Sequence, residues 1–176
     1  MISSIRGEVL SAGVGWVVVA VGGLGFRVEV RARDSGVHAG DYVGLHTQLV
    51  VREDSLTLFG FPAPEELEVF GFLIGVSGVG PRSALGVLSV LTPFEIAQAV
   101  SLEDEKPFRK VSGIGPKTAK VIAVQLAGKL QHMLLSEHDH VAGQVVSGSD
   151  AGVVRVAANV EQGLLGLGYP EAQAHA

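Results

Sequence analysis

Short runs of alternating apolar and polar residues occupy the first 62 positions of the chain. Five of these runs are rich in valine, leucine and aromatic residues, a composition typical of β-strands with one buried face. The runs are IRGEVLSA, GWVVVAV, GFRVEVRA, YVGLHTQLVV and SLTLFGF. Gly22 and Gly23 separate the second run from the third and predict a tight hairpin turn, because glycine accepts positive φ. Five short strands within residues 1–62 predict a small closed barrel.

From residue 63 to residue 135 the apolar positions recur every three or four residues, which predicts helices. A helix should begin at Pro64, because several glutamates follow it and acids are favoured at that end of the helix dipole. The segment Thr92–Glu95 has the sequence of a capping box with proline at the first helical position. From Pro116 to about Leu135, apolar residues at helical spacing predict a buried helix face. They are Ala119, Ile122, Ala123, Leu126, Leu130 and Met133.

Residues 136–150 lose this periodicity and gain glycine, serine and aspartate, which predicts a flexible linker. His138 and His140 flank Asp139 there, but two histidines in a loop without a further cluster of ligands do not predict a metal site. In residues 151–176, apolar residues again recur at helical spacing and predict one amphipathic helix. They are Val153, Val156, Val160 and Leu164.

Composition excludes several classes of protein. The chain has 176 residues, 47% of them hydrophobic, which is enough for one or two compact domains. The absence of cysteine excludes disulfides, thiolate metal sites and cysteine nucleophiles, and it favours a reducing compartment. The start MISSIRGEVLSAG lacks the apolar run of a signal peptide, and no apolar stretch reaches the roughly 18 residues of a membrane helix. We therefore expect a cytoplasmic protein that does not cross a membrane.

The charge is distributed unevenly, although the net charge is −5. Residues 1–62 carry five bases against six acids, residues 63–135 seven against seven, and residues 136–176 one against five. The segment Lys106–Leu130 contains six bases and no acid. Such a local basic field can bind phosphates even on an acidic chain.

Two segments of the chain are nearly identical. VSGVGPRSA (Val76–Ala84) and VSGIGPKTA (Val111–Ala119) lie 35 residues apart and agree at six of nine positions. The glycines permit a sharp turn, the residue between them can pack beneath it, and proline can begin the next helix. Free N–H groups of such a turn would point outward beside a base and a hydroxyl.

Each corner therefore predicts an anion site that suits a phosphate. Two such sites related by a repeat fit the two backbones of a DNA duplex. The candidate DNA-binding residues are Gly78, Val79, Gly80, Arg82 and Ser83 in the first copy and Gly113, Ile114, Gly115, Lys117, Thr118 and Lys120 in the second. Neither copy has the pattern of a dinucleotide fold or of an ATP-binding loop, so we predict no nucleotide cofactor and no catalytic residue.

A β-barrel followed by two helix-hairpin-helix motifs resembles the RuvA family, the Holliday-junction-binding subunits of bacterial branch-migration complexes. The segments that carry the resemblance are MISSIRGEV, VGGLGF, VVREDSLTLFGF, both hairpins and LGLGYPEA. The resemblance implies an α+β multidomain chain: an oligonucleotide-binding (OB) barrel in residues 1–62, paired hairpins in residues 63–135, a linker in residues 136–150 and a C-terminal helical domain in residues 151–176.

The resemblance also implies partners. A homotetramer, or two tetramers, would hold a four-way junction open and square-planar for recombination and repair, with the hexameric RuvB ATPase as motor and the RuvC resolvase as a further partner. Glu53 and Asp54 match the family's acidic pin, which would repel phosphates at the centre of the junction. The family's third domain, which contacts RuvB, is a three-helix bundle, so residues 151–176 would be its incomplete start.

Two other functions remain open at this point. A DNA glycosylase would need a catalytic aspartate some 20 residues beyond a hairpin, but the first acid after Gly113 is Glu137. A general duplex or single-strand DNA-binding repair protein is the second alternative. Single-strand binding would need exposed aromatic residues that stack on bases, whereas several of the barrel's five aromatic residues lie in patterns that predict burial. They are Trp16, Phe26, Tyr42, Phe59 and Phe61.

Overall fold

The computed structural model describes residues 2–34 and 36–134, which belong to one compact unit of the chain. The predicted linker, the helix predicted after it and the pair His138 and His140 lie outside the described residues. Within the described ranges, strands come first and helices follow, as the sequence pattern predicts.

Five strands form the N-terminal part. They are β1 (Ser4–Gly13), β2 (Trp16–Val21), β3 (Leu24–Glu29), β4 (Tyr42–Val51) and β5 (Leu56–Phe61). Each overlaps one of the five predicted runs. The predicted turn between β2 and β3 is confirmed, because Gly22 and Gly23 both have positive φ, 59° and 83°. These angles suit the two-residue turn that matches the twist of a hairpin.

The five strands close into a barrel in the order β1-β2-β3-β5-β4. All neighbouring pairs are antiparallel except β3 and β5, where Val28 pairs with Leu58 in parallel. This is an OB-like arrangement, so the expected fold is confirmed. A Cβ atom on Gly7 would lie 2.0 Å from the carbonyl oxygen of Ala20, which shows how closely β1 and β2 approach at this point.

The third strand ends earlier than the sequence pattern predicts. The run GFRVEVRA extends to Ala32, but β3 stops at Glu29 and a 3₁₀ turn occupies Ala32–Asp34. The physical reason is Arg31, which is 3% exposed. Its Nε lies 2.6 Å from Asp34 Oδ2 and its Nη2 lies 3.0 Å from Asp34 Oδ1. A continued strand would not bring Asp34 back to this guanidinium.

The same guanidinium joins the barrel to the first helix. Nη1 of Arg31 donates to Oε1 of Glu66. Burial lowers the pKa of Arg31, but the hydrogen bonds and charges of Asp34 and Glu66 outweigh burial, so the pKa is raised. Arg33 adds a longer contact to Glu66, 3.6 Å from Nη2 to Oε1. An ion network around the buried Arg31 therefore links the segment after β3 to the helical part.

Within the described residues, five helices with defined bounds follow the barrel, and residues 131–134 are helical as well. They are α1 (Pro64–Ile74), α2 (Pro81–Val90), α3 (Pro93–Ser101), α4 (Lys106–Arg109) and α5 (Pro116–Gln125). The predicted start at Pro64 is confirmed, and proline also begins the helix after each repeated corner. Proline suits this position because its missing N–H would have no partner inside the helix.

The predicted capping box at the start of α3 is also confirmed. The N–H of Glu95 donates to Thr92 Oγ1 at 3.2 Å, and the N–H of Thr92 donates to Glu95 Oε2 at 2.7 Å. The hydrogen bonds from the backbone and the hydroxyl of Thr92 lower the pKa of Glu95. These contacts give α3 a well-defined start immediately after α2 ends.

Helix α5 is shorter than predicted, and the chain becomes helical again only at residues 131–134. The apolar pattern from Pro116 to about Leu135 predicts one continuous helix, but α5 ends at Gln125 and Gly128 adopts a left-handed φ of 78°. Glycine suits this position because a residue with a Cβ atom is strained at such a φ. The prediction of a buried face is nevertheless confirmed beyond the helix end. Leu126, Leu130 and Met133 are at most 5% exposed.

Aromatic packing connects the barrel to the helical core. Phe59 and Phe61 from β5 contact Phe70 from α1, with ring centroids 5.1 and 5.0 Å apart. All three rings are at most 3% exposed. The contact therefore packs β5 against α1.

Within residues 2–34 and 36–134, no single helix is long and apolar enough to cross a membrane. Helices α2 and α3 reach that length and composition only as a pair, which is bent by 97°.

Candidate nucleic-acid interface

The two repeated segments fold into the same backbone shape. Gly78 and Gly113 have left-handed φ angles of 83° and 85°. Gly80 and Gly115 precede their helices with nearly equal angles, φ −84° and ψ 166° against φ −80° and ψ 168°. Glycine is needed at the left-handed positions because a side chain there would be strained. The sequence repeat is therefore a structural repeat of two hairpins, residues 75–80 and 110–115.

The apolar residue of each hairpin lies beneath the turn, as predicted. Val79 and Ile114 are both 6% exposed and belong to the helical core. The N–H of Val79 donates to the carbonyl of Val76 at 3.0 Å, and the N–H of Ile114 donates to that of Val111 at 3.1 Å. These contacts anchor each turn to the helical core.

Several backbone N–H groups at each hairpin have no hydrogen-bond partner within the described residues. They belong to Gly78, Gly80, Arg82 and Ser83 in the first hairpin and its helix, and to Gly113, Gly115, Lys117 and Thr118 in the second. The first N–H groups of a helix carry partial positive charge and bind anions readily. Each hairpin therefore presents a cluster of donors of the kind that binds a phosphate.

The predicted side chains surround these donors. Arg82 and Lys117 are exposed at the second position of α2 and α5, and the hydroxyl residues Ser83 and Thr118 beside them are partly buried. Lys120 is exposed one turn further along α5. In the part of the chain that the structure describes, none of these three bases forms an ion pair. Their charges thus remain available for an external anion.

The two hairpins lie close together. A Cβ atom on Gly78 would lie 3.9 Å from Thr118 Oγ1 of the second hairpin's helix. The N–H of Ser77 donates to Oε1 of Gln125 at 3.3 Å, which ties the first hairpin to α5. The sequence pattern did not single out Gln125, because this hydrogen bond joins residues 48 positions apart. The arrangement brings both donor clusters to one region of the surface.

In the folded chain, acidic residues from outside the basic segment Lys106–Leu130 lie close to some of its bases. Arg109 lies 3.8 Å from Glu105, and Lys110 is close enough to Glu95 to help lower the pKa of that carboxyl group. Acids from neighbouring elements thus offset part of the charge around α4. The bases of the hairpins and of α5 are the stronger candidates for phosphate binding.

The two acids of the predicted pin lie in the turn between β4 and β5, and both are exposed. We call Glu53 and Asp54 the acidic turn. The N–H of Arg52 donates to the carbonyl of Ser55 at 2.8 Å, and the hydroxyl of Ser55 donates to Asp54 at 3.3 Å. Neither carboxylate has a basic partner among the described residues. Both therefore present uncompensated negative charge at the tip of a hairpin.

A cavity of about 330 Å³ lies between the base of the acidic turn and the first hairpin. Its walls include Arg52, Ser55 and Thr57 from the barrel and Arg82 and Ser83 from α2. Sequence reasoning did not select the barrel residues. The available signal was a base immediately before two acids, but sequence order does not reveal that this turn meets a helix thirty residues away.

The barrel offers few aromatic surfaces for stacking on bases. Phe59 and Phe61 are buried, and Trp16 and Phe26 are partly buried. Tyr42 is the exception among the five, at 77% exposure.

Among the described residues, no group of three or more histidine, aspartate or glutamate side chains could hold a metal ion.

Comparison with known proteins agrees with this architecture. Residues 1–60 match the family model of the RuvA N terminal domain, and residues 70–127 match that of a SAM-like helix-hairpin-helix tandem. Proteins named Holliday junction branch migration complex subunit RuvA are similar along most of the chain. The protein of Leifsonia xyli subsp. xyli is 50% identical over 97% of this chain and 80% of its own length.

Two further relatives of the same name extend the comparison. The protein of Clavibacter sepedonicus is 48% identical over 97% of this chain and 76% of its own length. That of Micrococcus luteus is 42% identical over 99% of this chain and 81% of its own length. Since the matches cover the barrel, both hairpins and the segment that joins them, the chain belongs to the RuvA family.

Proposed function

We propose that this chain binds four-way Holliday junctions without regard to base sequence, as the DNA-binding subunit of a branch-migration complex. The observation that carries the proposal is the pair of hairpins with matched backbone angles and unpartnered donors. Backbone N–H groups and bases directed at phosphates carry no code for bases. Two such sites side by side suit the two backbones of one duplex arm.

In this proposal each subunit grips one arm and four subunits surround the crossover, or eight where two tetramers enclose it. The chain itself performs no chemistry, and an ATPase of the RuvB type moves the DNA, with a RuvC-type resolvase as a further partner. Family membership supports this division of roles, since the relatives are named as subunits of a branch-migration complex. Binding of plain duplex or of single strands is the alternative function.

The proposal predicts that the protein prefers four-way junctions to linear duplex. In a gel-shift titration with junction and duplex of equal length, we expect at least tenfold tighter binding of the junction and no dependence on its base sequence. Mass measured on the complex would report the number of subunits. Equal affinity for both DNAs, or a strong preference for one linear sequence, would contradict junction recognition.

The acidic turn has a specific role in the proposal. Two carboxylates from each of four subunits would meet at the centre of the assembly, where strands exchange. Negative charge at this point repels phosphates, which keeps the crossover open and disfavours continuous duplex across the centre. The exposure of Glu53 and Asp54 and their lack of basic partners in the described structure support this role.

Neutralising the acidic turn should therefore change selectivity. We expect Glu53→Gln with Asp54→Asn to bind junctions as tightly as the wild type or more tightly, and to lose part of its discrimination against duplex, because repulsion of phosphates disappears. The substitutions preserve side-chain size, so the turn should keep its shape. Junction and duplex titrations beside a melting curve check the result. Unchanged selectivity would show that Glu53 and Asp54 have no role in junction recognition beyond forming the turn.

A further inference from the structure

The cavity between the barrel and the first hairpin carries an inference about how the DNA backbone reaches the crossover. Its walls come from the β4–β5 hairpin on one side and from the start of α2 on the other. Arg52 from the barrel and Arg82 from α2 both line it, as do the hydroxyl residues Ser55, Thr57 and Ser83. The volume of about 330 Å³ is ample for a phosphate group with its ester oxygens.

In the described part of the chain, no acidic side chain balances the positive charge of the two arginines in this cavity. No carboxylate belongs to its walls, and neither arginine forms an ion pair within residues 2–34 and 36–134. Two guanidinium groups that share a cavity repel each other, and an anion between them removes that repulsion. Guanidinium groups also match the geometry of phosphate oxygens better than ammonium groups do.

We propose that Arg52 and Arg82 bind one phosphate of the DNA backbone together, with the hydroxyl residues of the cavity as additional donors. This inference rests on the proposed junction binding and adds the barrel to the DNA-binding surface. The phosphate would then be bound by Arg52, the residue that immediately precedes Glu53 of the acidic turn. Attraction at Arg52 and repulsion at the acidic turn would then act side by side, so the backbone is held just before the strands exchange.

A double-mutant cycle on the complete chain tests the shared phosphate. We expect Arg52→Gln to weaken junction binding at least tenfold near 0.1 M salt, because the variant releases fewer counterions from the DNA. The double variant Arg52→Gln with Arg82→Gln should lose less junction affinity than the product of the fold-losses of the two single variants. The reason is that each guanidinium binds the phosphate poorly without the other. Arg52→Gln with Lys117→Gln should match the product, since Lys117 does not line the cavity.

Arg6→Gln is the matched control. Arg6 is an exposed barrel arginine without an ion pair in the described structure, and its side chain lies against Gly44 of β4, away from the cavity. We expect less than a twofold change in affinity for this variant. An equal loss for Arg6→Gln and Arg52→Gln would assign the effect to net charge and overturn the site. If the affinity losses of Arg52→Gln and Arg82→Gln multiplied in the double variant, the two arginines would not share one phosphate.

A second measurement separates this inference from the proposed function. In NMR titrations with inorganic phosphate, the Nε–Hε signals of Arg52 and Arg82 should shift with one common midpoint, and Arg52→Gln should weaken the response of Arg82. Independent midpoints or no response would overturn the inference whatever the protein does with junctions. Response to phosphate without any junction preference would support an anion site and contradict junction binding. Junction preference with an unaffected Arg52→Gln variant would support the function and remove the site.

Discussion

Replacing Arg31 with methionine should lower the free energy of unfolding by about 3 kcal/mol, the lower end of the range for a buried pair, because it leaves two partly buried carboxylates without their cation. Asp34 and Glu66 are 22% and 12% exposed at their side chains and both bond to this guanidinium. Among the described residues, one oxygen of Glu66 already has no hydrogen-bond partner. Urea denaturation of the purified chain measures the change, with the slope of the transition as a check on two-state behaviour.

Arg33→Met is the matched control for this prediction. Arg33 also contacts Glu66, but at 3.6 Å and with 38% of its side chain exposed, so solvent screens the pair. We expect a loss below about 1 kcal/mol for this exposed pair. If Arg31→Met unfolded at the same denaturant concentration as the wild type, the ion network would not contribute to stability. Because the network joins β3 to α1, the Arg31 variant should also weaken the attachment of the barrel to the hairpins.

Removing the base of each hairpin should weaken junction binding strongly. We expect Arg82→Gln with Lys117→Gln to bind about a hundredfold more weakly near 0.1 M salt, roughly tenfold for each phosphate that is no longer neutralised. The slope of log affinity against log salt should fall by about one unit for each of these phosphates. Fluorescence anisotropy at several salt concentrations measures both quantities.

Two controls accompany the hairpin variant. Arg109→Gln removes a base that is paired with Glu105, so its effect on affinity should be small. Melting curves should match the wild type, because Arg82 and Lys117 are exposed and form no ion pair in the described structure. An unchanged salt slope in the double variant would exclude the hairpins from the DNA interface.

The local features of the chain followed from its sequence because each depends on neighbouring residues. Alternation of apolar residues predicted all five strands, and Gly22–Gly23 predicted the turn of one hairpin. The sequence of Thr92–Glu95 predicted a capping box whose two hydrogen bonds are present. The two repeated corners predicted paired hairpins with buried apolar residues. Steric limits on φ, the hydrogen-bonding needs of a helix start and the burial of apolar side chains act over a few residues, so the pattern carries them.

Errors occurred where distant groups decide the local structure. The third strand stops at Glu29, where the buried Arg31 binds Asp34 of the following 3₁₀ turn and also Glu66 from another part of the chain. The apolar pattern after Pro116 predicted a continuous helix, yet α5 ends at Gln125 while the apolar face remains buried. Periodicity reports which side chains meet the core, but it does not distinguish a helix from a helix and a turn that bury the same side chains.

The sequence by itself determined that the chain has a strand-rich part, a helical part and two matched glycine-rich corners. Only the tertiary structure decided the parallel pairing of β3 with β5 that closes the barrel, the ion network around Arg31, and the cavity that both Arg52 and Arg82 line. Barrel closure depends on strand pairs far apart in the chain, and the charge of a cavity depends on which walls meet. Neither is encoded in the spacing of neighbouring residues, because both arise from packing between elements.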